Sequence, residues 1–116
     1  MQRIGALQLV IIILVLATAL VHLGLGAQQL QDGMMGGMMF ILNGFGYIGL
    51  LAALYLPLPI KFVTQNRALV RWALMAFAVI TILAWLAIGI RDIVGYSTKS
   101  IEVILIVLLL IESRQK

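Results

Sequence analysis

The fold is decided by the stretch IGALQLVIIILVLATALVHLGLGA, from Ile4 to Ala27, which is apolar apart from Gln8, Thr18 and His22. A helix needs about 20 mostly apolar residues to cross the ~30 Å hydrocarbon layer of a membrane. This stretch has that length, and it exceeds the apolar region of about 7–15 residues in a secretory signal peptide. We therefore predict that it is a retained transmembrane span.

The rest of the chain repeats this pattern, so that the predicted spans lie at 4–27, 38–56, 68–90 and 98–113. Pro57 and Pro59 end the second span, because proline lacks a backbone N–H and restricts the residue before it. The runs show no two-residue alternation, which argues against a β-barrel, the other fold that satisfies its backbone in lipid. The sequence thus predicts an all-α integral membrane protein, a single transmembrane domain over residues 1–116. Its short loops favour an antiparallel four-helix bundle.

The composition agrees with a membrane environment. The chain is 64% hydrophobic and 10% charged, whereas soluble domains are about 45–50% apolar and about 25% charged. The isoelectric point near 10 comes from only 8 Lys and Arg residues at the edges of apolar runs. We interpret them as residues that orient a membrane protein, and we predict no binding of nucleic acid. The absence of cysteine excludes thiolate metal sites and disulfides.

The basic residues are distributed unevenly between the two sides of the predicted membrane domain. One side carries Arg3, Lys61, Arg67, Arg71, Arg114 and Lys116. The other side carries Arg91 and Lys99, together with Asp32, Asp92 and Glu102. Since cytoplasmic loops are enriched in Lys and Arg, we predict that both termini are cytoplasmic, in a bacterial-type plasma membrane.

With both termini in the cytoplasm, the polar residues of the predicted spans lie at one level, near the outer side of the membrane. The predicted outer polar pocket consists of His22, Asn43, Tyr47, Arg91, Asp92 and Glu102. Ionisable residues at membrane depth usually face the interior of a bundle. We therefore expect Glu102 to face inward and to pair with Arg91 in preference to Lys99, because guanidinium binds carboxylate bidentately. The same residues also fit a structural role, as hydrogen bonds between helices.

Small residues mark one face of the second span, where Gly46, Gly49 and Ala53 are spaced for close approach of another helix. That helix belongs either to this bundle or to another chain.

A methionine-rich block, DGMMGGMM over residues 32–39, precedes the second span. Its thioethers would suit Cu(I), and the residues concerned are Met34, Met35, Met38 and Met39. Methionine also fills irregular gaps without any metal. We interpret the block as a short outer turn with adaptable packing, and we predict no cofactor; copper binding stays as the third alternative.

The sequence resembles two groups of membrane proteins. The size and four-span layout resemble the small multidrug transporters, which carry a key glutamate in the first span; this chain has His22 there and no carboxylate. The segments HLGLG, LNGFGYIGLL and GYSTKSIEVILI resemble small bacterial membrane proteins, and this resemblance implies no activity.

The motifs of common enzymes are missing from the sequence, which has no HExxH, GxSxG, P-loop or CxxC pattern and a single histidine. We expect that the chain is not an enzyme. The sequence favours an accessory or structural subunit of a larger membrane complex, or a homo-oligomer, whose partners are the lipid bilayer and other membrane chains or further copies of itself. The main alternative is a small transporter or channel subunit that uses the outer polar pocket.

The predicted topology is tested with reporter fusions at two positions. A reporter that is active only in the cytoplasm should be active when fused after Lys116, and a reporter that is active only outside should be active when inserted at Asp32, because the basic side remains inside. Reversed signals would contradict both the orientation and the depth assigned to every pocket residue.

Overall fold

The computed structural model describes residues 5–33, 36–56, 59–88 and 92–114. Within these ranges the chain is helical, with no strand. The helices are α1 (Ala6–Gln31), α2 (Gly37–Tyr55), α3 (Lys61–Gln65), α4 (Arg67–Ile88) and α5 (Ile93–Ser113).

Four of the helices are long and apolar enough to cross a membrane. The mean hydropathy over an 18-residue stretch is 2.7 in α1, 1.7 in α2, 2.1 in α4 and 1.9 in α5. At a rise of about 1.5 Å per residue they span roughly 28–39 Å, close to the thickness of the hydrocarbon layer or above it. The prediction of an all-helical chain with four such helices is confirmed, and it is consistent with a membrane protein.

Most helix boundaries lie within two residues of those predicted, and the two that differ most do so because of a capping residue. Helix α1 continues to Gln31, and the chain leaves it through Gly33, whose φ of +76° places it in the left-handed region that glycine adopts at helix ends. Helix α5 starts at Ile93, ahead of the predicted start at residue 98, because the Asp92 carboxylate accepts a hydrogen bond from Gly95 N at 2.7 Å.

The four long helices form a ring. Helix α1 packs against α2 and α5, and α4 packs against the same two helices. Side chains of α2 and α5 meet across the middle, where Tyr47 contacts Glu102 and Tyr55 contacts Glu112. The described chain measures 45 × 27 × 21 Å, so the bundle is one helix long and two helices wide.

The closest contact between helices joins α1 to α2 and depends on glycines. A Cβ atom added to Gly26 would lie 2.7 Å from the carbonyl oxygen of Gly37, and one added to Gly37 would lie 2.5 Å from that of Gly26. A Cβ atom on Gly44 would lie 2.9 Å from the carbonyl oxygen of Ala19. The backbones therefore touch at two levels, seven residues apart on each helix, a geometry that is also found in membrane helix pairs with small residues at the contact.

The small-residue face predicted for α2 is divided between two environments. Gly46 packs against the ring of Phe77 on α4, since a Cβ atom there would lie 2.5 Å from the ring. Ala53 is partly buried against the core. Gly49 is exposed, and a Cβ atom there would meet nothing within 4 Å. Gly46 thus serves packing inside this chain, and the role of Gly49 as a contact for another chain stays a prediction.

The glycine contact predicts opposite effects for two substitutions on α1. Gly26→Ala should destabilise the bundle by about 1–3 kcal/mol, because the methyl group forces the two backbones apart. Gly24→Ala is the matched control, since a Cβ atom there meets nothing within 4 Å. It should be neutral or stabilising by up to about 1 kcal/mol, because alanine favours a helix over glycine. Unfolding in mixed micelles measures both, and equal effects would show that the contact does not limit stability.

Candidate functional site

A carboxylate on α5, Glu102, is fully buried at the centre of a polar cluster. Its Oε2 atom accepts hydrogen bonds from the Tyr47 hydroxyl at 2.8 Å and from the Thr18 hydroxyl at 3.0 Å. Its Oε1 atom accepts one from Lys99 Nζ at 2.5 Å, which is also an ion pair. Together these four side chains, from α1, α2 and α5, are called the Glu102 cluster.

His22 adjoins the Glu102 cluster one turn along α1 from Thr18. Its Nδ1 atom lies 2.7 Å from the backbone oxygen of Thr18. A carbonyl oxygen only accepts, so Nδ1 carries the proton and donates it there. The imidazole ring lies near the rings of Phe40 and Tyr47, with centroids 5.7 and 6.1 Å away. His22 is therefore a packed and hydrogen-bonded interior residue beside the buried carboxylate.

Asn43 joins α2 to α4 beside this cluster. Its Nδ2 atom donates to the Thr81 hydroxyl at 2.7 Å, and that hydroxyl donates to the backbone oxygen of Phe77 at 2.8 Å. The Thr81 hydroxyl proton is thus donated within α4 and is not shared with Asn43. The Oδ1 atom of Asn43 is buried and has no hydrogen-bond partner among the described residues.

A second polar cluster lies near the other end of the bundle, around Glu112. Its Oε2 atom accepts from Gln8 Nε2 at 3.0 Å and from the Tyr55 hydroxyl at 2.5 Å. Its Oε1 atom forms an ion pair with Arg71 Nε at 2.7 Å. These four residues, the Glu112 cluster, come from all four long helices. Gln8 also accepts from Gly5 N through Oε1, which caps the start of α1.

The two clusters share a pattern, which is a buried glutamate on α5, a tyrosine hydroxyl from α2, a polar residue of α1 and one basic side chain. Each pairs one carboxylate with one cation, so each is electrically balanced. Between them every long helix contributes buried apolar residues, namely Ile11, Val15, Leu51, Leu54, Leu74, Met75, Ala78, Leu105 and Leu109. The interior is therefore polar, then apolar, then polar along its length.

The Glu112 cluster was not predicted from the sequence, because Glu112 and Arg71 lie near the edges of their predicted spans. One signal was available. Helix α5 carries two glutamates in an apolar run, and α2 carries two tyrosines at a similar separation, so each glutamate has a matching hydroxyl.

Part of the predicted outer pocket comes together in the structure. His22, Tyr47 and Glu102 are neighbours, while Asn43 hydrogen-bonds to Thr81 on α4. Asp92 is exposed and caps α5, away from the buried carboxylate. Arg91 lies outside the described residues. The cation that the structure places against Glu102 is Lys99, the second choice of the sequence analysis.

Two of the four candidate copper ligands lie within the described residues. Met34 and Met35 lie outside the described residues, while Met38 and Met39 are exposed on α2. The part of the chain that the structure describes contains no group of three or more His, Cys, Asp or Glu residues placed to hold a metal ion.

A groove between α4 and α5 reaches the Glu102 cluster from the side of the bundle. It has a volume of about 410 Å³ and is open along the surface. Its walls are Ile82, Trp85, Tyr96, Lys99, Ser100, Val103 and Ile104. The rings of Trp85 and Tyr96 meet edge to face at 5.1 Å. Because the groove is mostly apolar, it suits a hydrocarbon surface better than a polar ligand.

No protein family, curated protein or solved structure matches this chain. Its own residues and their contacts are therefore the basis for the function proposed below.

The Lys99–Glu102 pair predicts strong coupling between two substitutions. Glu102→Gln alone should destabilise the bundle by about 3–5 kcal/mol, because it leaves the Lys99 ammonium buried without its counter-ion. Once Lys99→Met is present, the same substitution should cost about 1–3 kcal/mol less. Unfolding in mixed micelles measures all four states of the cycle.

A matched cycle uses Lys61→Gln in place of Lys99→Met. Lys61 is an exposed residue of α3, so its effect should add to that of Glu102→Gln. Additivity in the Lys99 cycle as well would mean that the pair does not stabilise the fold.

Proposed function

We propose that this protein is a small, non-catalytic integral membrane protein. Its antiparallel four-helix transmembrane bundle acts as an accessory or structural subunit of a larger membrane complex, or assembles with further copies of itself. The observation that carries the proposal is the state of the two buried glutamates. Each is neutralised and hydrogen-bonded by side chains of its own chain.

A transport or catalytic carboxylate in a membrane has to exchange a proton, an ion or a substrate. Glu102 is 0% exposed and already accepts three hydrogen bonds, so a ligand would have to displace buried partners. Removing one partner of a buried ion pair costs about 3–5 kcal/mol. These contacts favour a role in holding the helices together.

The apolar layer between the clusters also favours packing over conduction. A pathway across the membrane needs polar groups or water along its length. Here the Glu102 and Glu112 clusters are separated by the buried apolar residues named above, from every long helix. The transporter alternative would require this layer to open.

The exposed sides of the helices are available for contact with lipid or with other chains. Each long helix exposes large apolar side chains, among them Leu20 on α1, Phe45 on α2, Ile80 on α4 and Ile93 on α5. In a bilayer such a surface contacts lipid or other membrane helices, which fits the proposed partners.

The direction of the helices and their charges support the proposed topology. Gln8 of α1 contacts Glu112 of α5, whereas Thr18 contacts Glu102, so the two helices run in opposite directions. The end of the bundle that contains Glu112 is called the basic end. Its described charged residues are Lys61, Arg67, Arg71, Arg114 and the single acid Glu112, whereas the opposite end has Lys99 with Asp32, Asp92 and Glu102. The excess of basic residues supports a cytoplasmic basic end in a bacterial-type plasma membrane.

The mass of the assembly in a native-like bilayer tests the proposal. Protein extracted from its native membranes into nanodiscs should have a mass well above the 12.7 kDa of one chain, with other chains or further copies present in a fixed ratio. A flux measurement tests the non-transporting role separately. Purified protein in liposomes should give no ion or solute flux above that of protein-free liposomes. A symmetric homo-oligomer whose flux is lost in Glu102→Gln and kept in Gly49→Ala would establish the transporter alternative instead.

A further inference from the structure

The connection between α2 and α4 presents apolar side chains at the surface of the basic end. Ile60 is 51% exposed and Phe62 is 65% exposed, and the exposed Lys61 lies between them. An apolar pair that flanks a basic residue is typical of segments that lie in the membrane interface. In water, large exposed apolar side chains at the N-cap (Ile60) and in the first turn (Phe62) of a five-residue helix would be unfavourable.

This connection is fixed to the bundle by hydrogen bonds. The Arg67 guanidinium donates to the carbonyl oxygens of Leu54 at 2.5 Å and Leu56 at 2.9 Å, which are otherwise open at the end of α2. Asn66 Nδ2 donates to the carbonyl oxygen of Phe62 at 2.6 Å. The exposed side chains therefore have a defined position at the end of the spanning helices.

Within the described ranges, the basic end has four basic side chains, Lys61, Arg67, Arg71 and Arg114, and one acidic side chain, Glu112. Glu112 forms its ion pair with Arg71. Arg114 is exposed at the end of α5. The positive charge therefore lies at the level where spanning helices leave the hydrocarbon layer.

We propose that the basic end binds anionic phospholipids. Ile60 and Phe62 insert beside the acyl chains, while Lys61 and Arg114 contact the phosphate groups. Basic residues near a membrane surface attract anionic headgroups, and long basic side chains reach the headgroup level from apolar surroundings. A phospholipid supplies the anionic group and the hydrocarbon chain in one molecule, which matches the basic and apolar side chains of this end.

The two tryptophans of the chain report on lipid at opposite ends of the bundle. Trp72 lies close to the basic end on α4 and is 53% exposed, while Trp85 lies toward the other end. Trp85→Phe leaves Trp72 as the only reporter, and Trp72→Phe leaves Trp85. The probes are phosphatidylglycerol and phosphatidylcholine with identical brominated acyl chains, whose quenching of fluorescence gives the relative binding of the two lipids.

We expect phosphatidylglycerol to be preferred at Trp72 and not at Trp85. In the Trp72 reporter, the preference should fall about fivefold per charge removed by Lys61→Gln and Arg114→Gln. Gln65→Ala, an exposed uncharged change in the same segment, should leave it unchanged, and Lys61→Arg should retain it.

Two results would overturn the proposal. One is an equal preference at both tryptophans, because the selectivity would then belong to the whole protein. The other is an unchanged preference in the double variant. A melting temperature equal to that of the parent shows that each variant is folded, and none of these results depends on whether the protein is an accessory subunit.

Discussion

A carboxylate inside an apolar helix bundle is tolerated only when hydrogen bonds and a counter-ion compensate for the water that it has lost. This constraint organises the interior of the protein. Glu102 and Glu112 are both almost completely buried, and each gathers donors from α1 and α2 together with one cation. In lipid, apolar helices have no hydrophobic driving force that selects one arrangement. The hydrogen bonds and ion pairs of the two glutamates can make that selection instead.

The glycine contact between α1 and α2 makes those hydrogen bonds possible. Gly26 and Gly37 bring the two backbones together, which fixes the distance between the helices that carry Thr18 and Tyr47. The hydroxyls of these two residues then converge on one carboxylate oxygen of Glu102. Close packing and polar contacts thus depend on each other, since a wider helix pair would separate the two donors.

Length and hydropathy were enough to predict four helices that are long and apolar enough to cross a membrane, and position along them was enough to place His22, Tyr47 and Glu102 at one level. Depth does not define the rotation of a helix about its axis. For that reason the sequence suggested Gly46 and Gly49 as one contact face, whereas the closest contact uses Gly26 and Gly37. The Glu112 cluster was missed for a related reason. A charged residue near the end of an apolar run looks exposed until the neighbouring helices, which bring Tyr55 and Arg71, are positioned.

The spacing of the two clusters has a mechanical meaning. Glu102 and Glu112 are ten residues apart on α5, which corresponds to about 15 Å along the helix axis. A rod held at one point can still pivot or slide, but a rod held at two separated points has a fixed tilt and a fixed register. A shift of α5 by one turn, about 5.4 Å, would break the contacts at both points together. Helix α5 is therefore held in one tilt and one register against α1 and α2, so that the face it presents to the outside has a constant position.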